Sequence, residues 1–156
     1  MTIKPKLTTK AACRVARIDR NRFNEEVAAG TYNCAPKTIP GRARLFDPDD
    51  MIALYLFREL IEDGYTKARA GRVACAVSEA ARQNPDSPAI TFVESYFGPN
   101  SGDAFPAESV PTPDRWVERM FSGSDIRKTT TFNIRKMREL IAHYTAEEAA
   151  IIGEDD

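Results

Sequence analysis

The chain has 156 residues, 42% of them hydrophobic and 29% charged, with a formal net charge of −1. That balance fits an ordinary globular protein of one domain, or one small domain with an appended unit, and excludes disordered and fibrous classes. No apolar run approaches the roughly 18–20 residues that span a bilayer. The opening MTIKPKLTTK lacks the apolar centre of a secretory signal, so a cytoplasmic chain with no membrane partner is expected.

The near-neutral total conceals an asymmetry. Residues 1–46 carry ten basic and three acidic side chains, a net of +7, and the remainder carries −8. A basic module joined to an acidic remainder points to a polyanion partner for the first part alone. The three cysteines, Cys13, Cys34 and Cys75, are widely spaced, form no CxxC pair and lie near no histidine. No metal site is expected, and all three are read as reduced, mostly buried thiols.

Residues 1–7 read as a loosely held arm. Thr8 or Thr9 caps a first helix whose Ala11, Ala12, Val15 and Ala16 form a narrow stripe of small residues. Arg17-Ile18 makes a turn, and Asp19 caps a second helix over residues 20–29 with Phe23 and Val27 facing inward. Gly30 stops it. Two short helices about a tight turn form a helix-turn-helix, whose second helix enters the major groove of DNA. Arg20, Asn21 and Asn24 point away from the Phe23 face, with Arg22 at the flank. Arginine suits guanine or phosphate, and asparagine suits adenine. Glu25 and Glu26 sit awkwardly on such a helix: they either accept from cytosine amino groups or pair with Arg22 and so point away from the duplex, the second being expected for at least one of them.

Residues 31–46 carry hairpin punctuation, with a turn near Ile39-Pro40-Gly41. Arg42 and Arg44 alternate with Ala43 and Leu45, which in a strand puts both guanidiniums on one face, where they suit phosphate or a minor groove. Lys37 adds charge to this wing, and Lys10, Arg14 and Arg17 add phosphate contacts from the first helix. Asp47-Pro48 is a strong helix start. The helix that follows is so widely apolar, from Met51 to Ile61, that it must be buried on more than one side. Gly64 ends it, Thr66 caps the next helix over residues 67–83, and Asn84 to Pro88 mark a boundary.

This order of parts resembles the DNA-binding domain of MerR-family regulators over residues 7–83. The matching residues are Thr8 to Ala12, Ile18 to Phe23, Gly30, Gly41 to Phe46, Asp49-Asp50, and Arg58-Glu59-Leu60 with Gly64. The resemblance implies promoter binding as a dimer, with distortion of the DNA. The chain departs from the family pattern in having Asn24-Glu25-Glu26 where an Arg-Tyr-Tyr run often stands. Pro85 and Pro88 also interrupt it where a long dimerising helix often follows.

From Ala89 the periodicity changes. Residues 89–97 read as a strand and 98–114 as a Gly/Pro-rich loop. Residues 114–121 and 125–134 read as two strands joined at Ser122-Gly123-Ser124. Asn133 caps a last helix, and residues 147–156 form a frayed acidic tail. The expected class is therefore α+β: an N-terminal winged helix-turn-helix with two further helices over residues 1–84, then a small three-stranded unit with a C-terminal helix over 89–146. Three strands and one helix are too small a core to stand alone, so this unit is expected to pack on the first part or on a second copy. Trp116, Phe92, Tyr96, Phe121 and Phe132 are its candidates for a dimer interface or ligand pocket.

His143 is the only histidine, and no phosphate loop, metal cluster or catalytic triad is legible. The expectation is no enzyme and no cofactor. The expected protein is a homodimeric, nucleoid-associated transcriptional regulator on double-stranded DNA, open to a small-molecule or protein effector. The alternatives are an excisionase-like DNA-bending protein, or an interaction module that has lost DNA binding.

Overall fold

The computed structural model describes residues 6–96, 102–117, 121 and 125–152. The fold is α+β. Its first strand, β1 (Leu7–Thr8), pairs antiparallel with β2 (Leu45–Phe46), Leu7 opposite Phe46. Leu7 is thus tied into the fold rather than part of a loose arm, and the rest of that expected arm, except Lys6, lies outside the described residues. Helix α1 (Thr9–Ala16) starts where the Thr8 hydroxyl accepts from Ala11 N–H at 3.3 Å. Its small residues Ala11, Ala12, Val15 and Ala16 are all buried, which lets neighbouring helices approach closely. It ends at Arg17, a non-glycine residue in the left-handed region (φ 60°), a conformation that costs roughly 1–2 kcal/mol. Helix α2 (Arg20–Ala29) is capped by Asp19, whose carboxylate accepts from Arg22 N–H at 3.0 Å, and it stops at Gly30.

Helix α3 (Pro48–Glu62) opens with a reciprocal capping box. Asp50 N–H donates to Asp47 at 2.7 Å, and Asp47 N–H donates to Asp50 at 2.9 Å. Met51, Ile52, Leu54, Leu56, Phe57 and Leu60 are buried around its circumference, against α1, β2 and helix α4 (Lys67–Gln83), which Thr66 caps. This is the many-sided burial its composition demands.

The second sheet has the order β4-β3-β5, all antiparallel, with β3 (Ala89–Ser95) central, β4 (Gly102–Pro106) and β5 (Ile126–Asn133) at the edges. β4 falls within the expected loop. It forms because Gly102, lacking a side chain, lets the strand lie against the Phe92 ring. The strand expected over 114–121 does not form in its described part. Pro113 and Asp114 start a single 3-10 turn (Pro113–Arg115) instead, and Trp116 donates its indole N–H to Pro111 O at 2.9 Å. Residues 118–120 and the expected turn at 122–124 lie outside the described residues. Helix α5 (Ile134–Ile152) begins as expected with Asn133 accepting from Lys136 N–H at 3.0 Å. It then runs on through Glu147 and Glu148 rather than fraying there.

Among the described residues one hydrophobic cluster runs through both halves. Phe23, Tyr32, Phe46 and Phe57 pack in edge-to-face and tilted pairs beneath the first two helices, with ring centroids 5.1–5.8 Å apart. Ile90, Phe92, Ile134, Met137 and Ile141 belong to the same cluster. The second half therefore packs on the first, α4 covering the sheet and α5 lying across α1 and α3.

The expectation of three reduced thiols fails. Cys34 and Cys75 form a disulfide across 41 residues, with Cα atoms 5.7 Å apart. Only Cys13 is free, and burial pushes its thiol up to about 11. The pairing arises because α4 comes close to the segment leaving α2 at Gly71, where a β-carbon would strike the Thr31 carbonyl.

Candidate nucleic-acid interface

The helical period of α2 separates its residues into two sets. Phe23 and Glu26 are buried, Val27 is half-buried, and Arg20, Asn21, Arg22, Asn24 and Glu25 are exposed. Phe23 and Val27 thus both face the core as expected, and Glu26 is buried beside them. A carboxylate is tolerable there because it is fully engaged. Thr31 Oγ1 donates to it at 2.6 Å, and Lys67 Nζ lies 3.2 Å away. Burial opposes its charge, but the Thr31 and Lys67 hydrogen bonds outweigh burial and hold the carboxyl below its ordinary range. Glu26 therefore turns away from any duplex, held by Thr31 and Lys67 and not by direct pairing with Arg22. The outward side chains of Arg20, Asn21, Arg22 and Asn24 make no hydrogen bond or ion pair among the described residues.

The wing follows. Pro40 and Gly41 (φ 79°) occupy the two central positions of a turn closed by Arg42 N–H donating to Ile39 O at 2.9 Å, the sequence preference of a type II turn. Apart from the Ile39–Arg42 bridge the two arms of the expected hairpin are not paired as strands, because Pro36 and Pro40 remove ladder donors, and β2 at the end of the second arm pairs with β1 instead. The two arginines consequently do not act alike. Arg42 is exposed, as is Lys37, while Arg44 is half-buried and donates from Nη1 to Pro36 O at 2.7 Å, bracing one arm against the other. Ile39 is 56% exposed at the tip, an apolar contact beside the Arg42 charge.

No family model matches this chain, and no curated protein matches it.

The basic residues Arg14 of α1 and Arg17 at its C-cap meet α5. Arg14 pairs through Nε with Glu148 of α5, and the Arg17 guanidinium sits 4.8 Å over the Tyr144 ring. Lys10 is exposed at the start of the helix. The ten candidate residues thus fall into two sets. Arg20, Asn21, Arg22, Asn24, Lys37 and Arg42 are exposed on α2 and the wing, with Arg44 bracing the wing from within. Arg14 is half-buried against Glu148 of α5, Arg17 is exposed with its guanidinium against the Tyr144 ring, and Lys10 precedes both in sequence. Sequence spacing could not show these contacts, because α5 is more than a hundred residues away along the chain.

A second basic cluster had no sequence signal either. Glu94, buried at the end of β3, accepts from Arg69 Nη2 at 3.0 and 3.1 Å, with Arg127 Nη2 at 3.4 Å and Lys128 Nζ at 3.5 Å. Here three cations meet one carboxylate. Among the described residues no group of His, Cys, Asp or Glu could hold a metal ion, and no helix is long and apolar enough to cross a membrane.

Proposed function

We propose that this protein is a sequence-specific, double-stranded-DNA-binding regulator of transcription that works as a homodimer. The observation that carries the reading is the α2 face, where Arg20, Asn21, Arg22 and Asn24 stand exposed and uncommitted beside a Pro-Gly wing tipped by Arg42. In this reading α2 enters the major groove, Asn21 and Asn24 read base edges, and Arg20 and Arg22 take guanine or phosphate. The wing sets Arg42 and Lys37 on the backbone or minor groove. The inward turn of Glu26 supports it by removing one of the two carboxylates that would repel phosphates. A two-fold dimer doubles the phosphate contacts and reads an inverted repeat.

Selection of the purified chain against a random duplex library at near-physiological salt tests the reading. The expected result is an enriched inverted repeat. On that duplex Asn21→Ala relaxes base preference at a cost of about 1–3 kcal/mol, while Arg42→Ala weakens all sequences alike and lowers the salt slope by about 1. Phased direct repeats with strong bending would move the function to an architectural, excisionase-like role. No enrichment, with weak binding that vanishes at modest salt, would overturn DNA recognition.

A further inference from the structure

One face of α4 meets the segment that leaves α2 at three successive turns. Lys67 Nζ pairs with Glu26 at 3.2 Å. One turn on, Gly71 lies against the Thr31 carbonyl with no room for a side chain. One turn further, Cys75 is bonded to Cys34. The spacing i, i+4, i+8 keeps all three on one side of the helix. The first two ties secure the end of α2 and its exit, and Tyr32 between them is anchored in the aromatic stack. Of the three ties only the third reaches past Tyr32, to Cys34, next to which Ala35 packs against the core. Beyond Cys34 the wing's hydrogen bonds are its own, Arg42 N–H to Ile39 O and Arg44 Nη1 to Pro36 O, until the chain re-enters the fold at β2. Residues 33–38 adopt no regular structure. Both bonded cysteines are half-buried, outside the fully buried core, whereas Cys13 is 2% exposed.

We propose that the Cys34–Cys75 disulfide is a redox latch on the wing, closed when oxidised and opened by a thiol reductant. A reductant thiolate attacks one sulfur, forms a mixed disulfide and expels the other cysteine as a thiolate, which takes up a proton. A second thiol of the reductant then displaces the remaining cysteine. Two electrons and two protons pass to the protein, and the reductant leaves as its own disulfide. Cys13 stays out of the exchange because it is enclosed. Opening the latch leaves the Lys67 and Gly71 ties and the aromatic stack in place, so the helices persist while residues 33–44 loosen. The consequence for DNA rests on the function proposed above. A closed latch holds Lys37 and Arg42 at a fixed place relative to α2, and an open one adds an ordering cost to binding.

The test compares the oxidised full-length chain, the same chain reduced with a phosphine, and C34S/C75S. Thiol titration of the unfolded oxidised chain should find one free thiol, Cys13, of the three cysteines. Limited trypsin digestion should cut after Lys37 and Arg42 about tenfold faster on reduction, with far-UV circular dichroism unchanged. C34S/C75S should digest like the reduced chain whatever the buffer, and the reduced wild type carries the comparison if that variant does not fold. Three free thiols in the oxidised chain, equal digestion in the two states, or loss of helix together with the wing would each overturn the latch. Duplex affinity is read separately and should fall about tenfold on reduction. Faster wing cleavage in a chain that binds no duplex in either state supports the latch and removes the DNA reading. Equal cleavage with tight duplex binding in both states removes the latch and keeps the DNA reading.

Discussion

Lys67 Nζ and Glu26 Oε1 meet at 3.2 Å across the seam between α4 and α2, and the carboxylate is the buried partner, its residue 4% exposed. The two ends of this pair should therefore respond differently to removal. Glu26→Ala takes away the acceptor that Thr31 also uses and should cost about 1–3 kcal/mol. Lys67→Ala, at the exposed end, should cost at most about 1 kcal/mol. Because the folded carboxyl titrates below its unfolded value of about 4.3, its stabilisation is present above that value and is lost as pH falls through the folded one. Urea unfolding of the wild type and Glu26→Gln from pH 7 to pH 3 checks this. The gap between them should close as acid is added, and a gap that stayed constant would show that the charge is not what Glu26 contributes.

Gly71→Ala should reverse the usual sign. In an ordinary helix interior this change stabilises by roughly 0.5–1 kcal/mol. Here the new methyl group would strike the Thr31 carbonyl, a backbone atom that cannot swing aside as a side chain does. A loss of about 1–3 kcal/mol is expected, the usual cost of overpacking, together with a shift of the chain between α2 and the wing. Thermal unfolding gives the sign, and a stabilised variant would mean that the α4 seam is looser than described.

The caps at Thr8, Asp19, Asp47, Thr66 and Asn133 were all legible in the sequence, because a cap depends on the few residues around it. The exposure of Arg20, Asn21 and Asn24 followed from the position of Phe23 alone. What could not be read depends on distant partners. Val27 packs inward beside Phe23 as its apolar character demands. Glu26 is buried with them only through Thr31 and Lys67. The Cys34–Cys75 pair required α4 to fold back at Gly71, and β4 required the Phe92 ring to accept Gly102. The contacts that Arg14 and Arg17 make with Glu148 and Tyr144 were not legible either, because α5 lies far along the chain.

Stability should pass through a maximum in mild acid because of two carboxyls at the start of α3. Asp50 is raised to about 6 by burial, with the charge of Asp47 adding to it. Burial also opposes the charge of Asp47, but the hydrogen bonds from Arg82 and from Asp50 N–H prevail and bring it to about 2. The unfolded values are both about 3.9. As pH falls through 6 the folded chain takes up a proton at Asp50 that the unfolded chain does not, so stability rises. Below about 4 the unfolded chain protonates Asp47 while the folded chain resists until about 2, and stability falls. Asp50→Asn should flatten the rise and Asp47→Asn the fall, in melting temperatures taken from pH 7 to pH 3. A monotonic wild-type curve through this range would contradict the opposed shifts.

Glu148 and Tyr144 engage Arg14 and Arg17 from the same side of α5, four residues apart on one helical face. If the basic side of α1 adjoins bound DNA, this contact withholds part of its charge from the phosphates. Glu148→Gln should then remove one negative charge from beside Arg14, strengthen duplex binding a fewfold at low salt, and steepen the log–log salt slope by up to about 1. Base preference should not change, because no residue of α2 is touched. Tyr144→Leu should act in the same direction more weakly, since the ring contact is worth about 0.5–1 kcal/mol at an exposed site. Titration of both variants on the selected duplex between 50 and 200 mM salt measures the effect. An unchanged slope for Glu148→Gln would mean that the α1 face points away from DNA, and would leave Arg20, Arg22, Lys37 and Arg42 as the cations that bind the backbone.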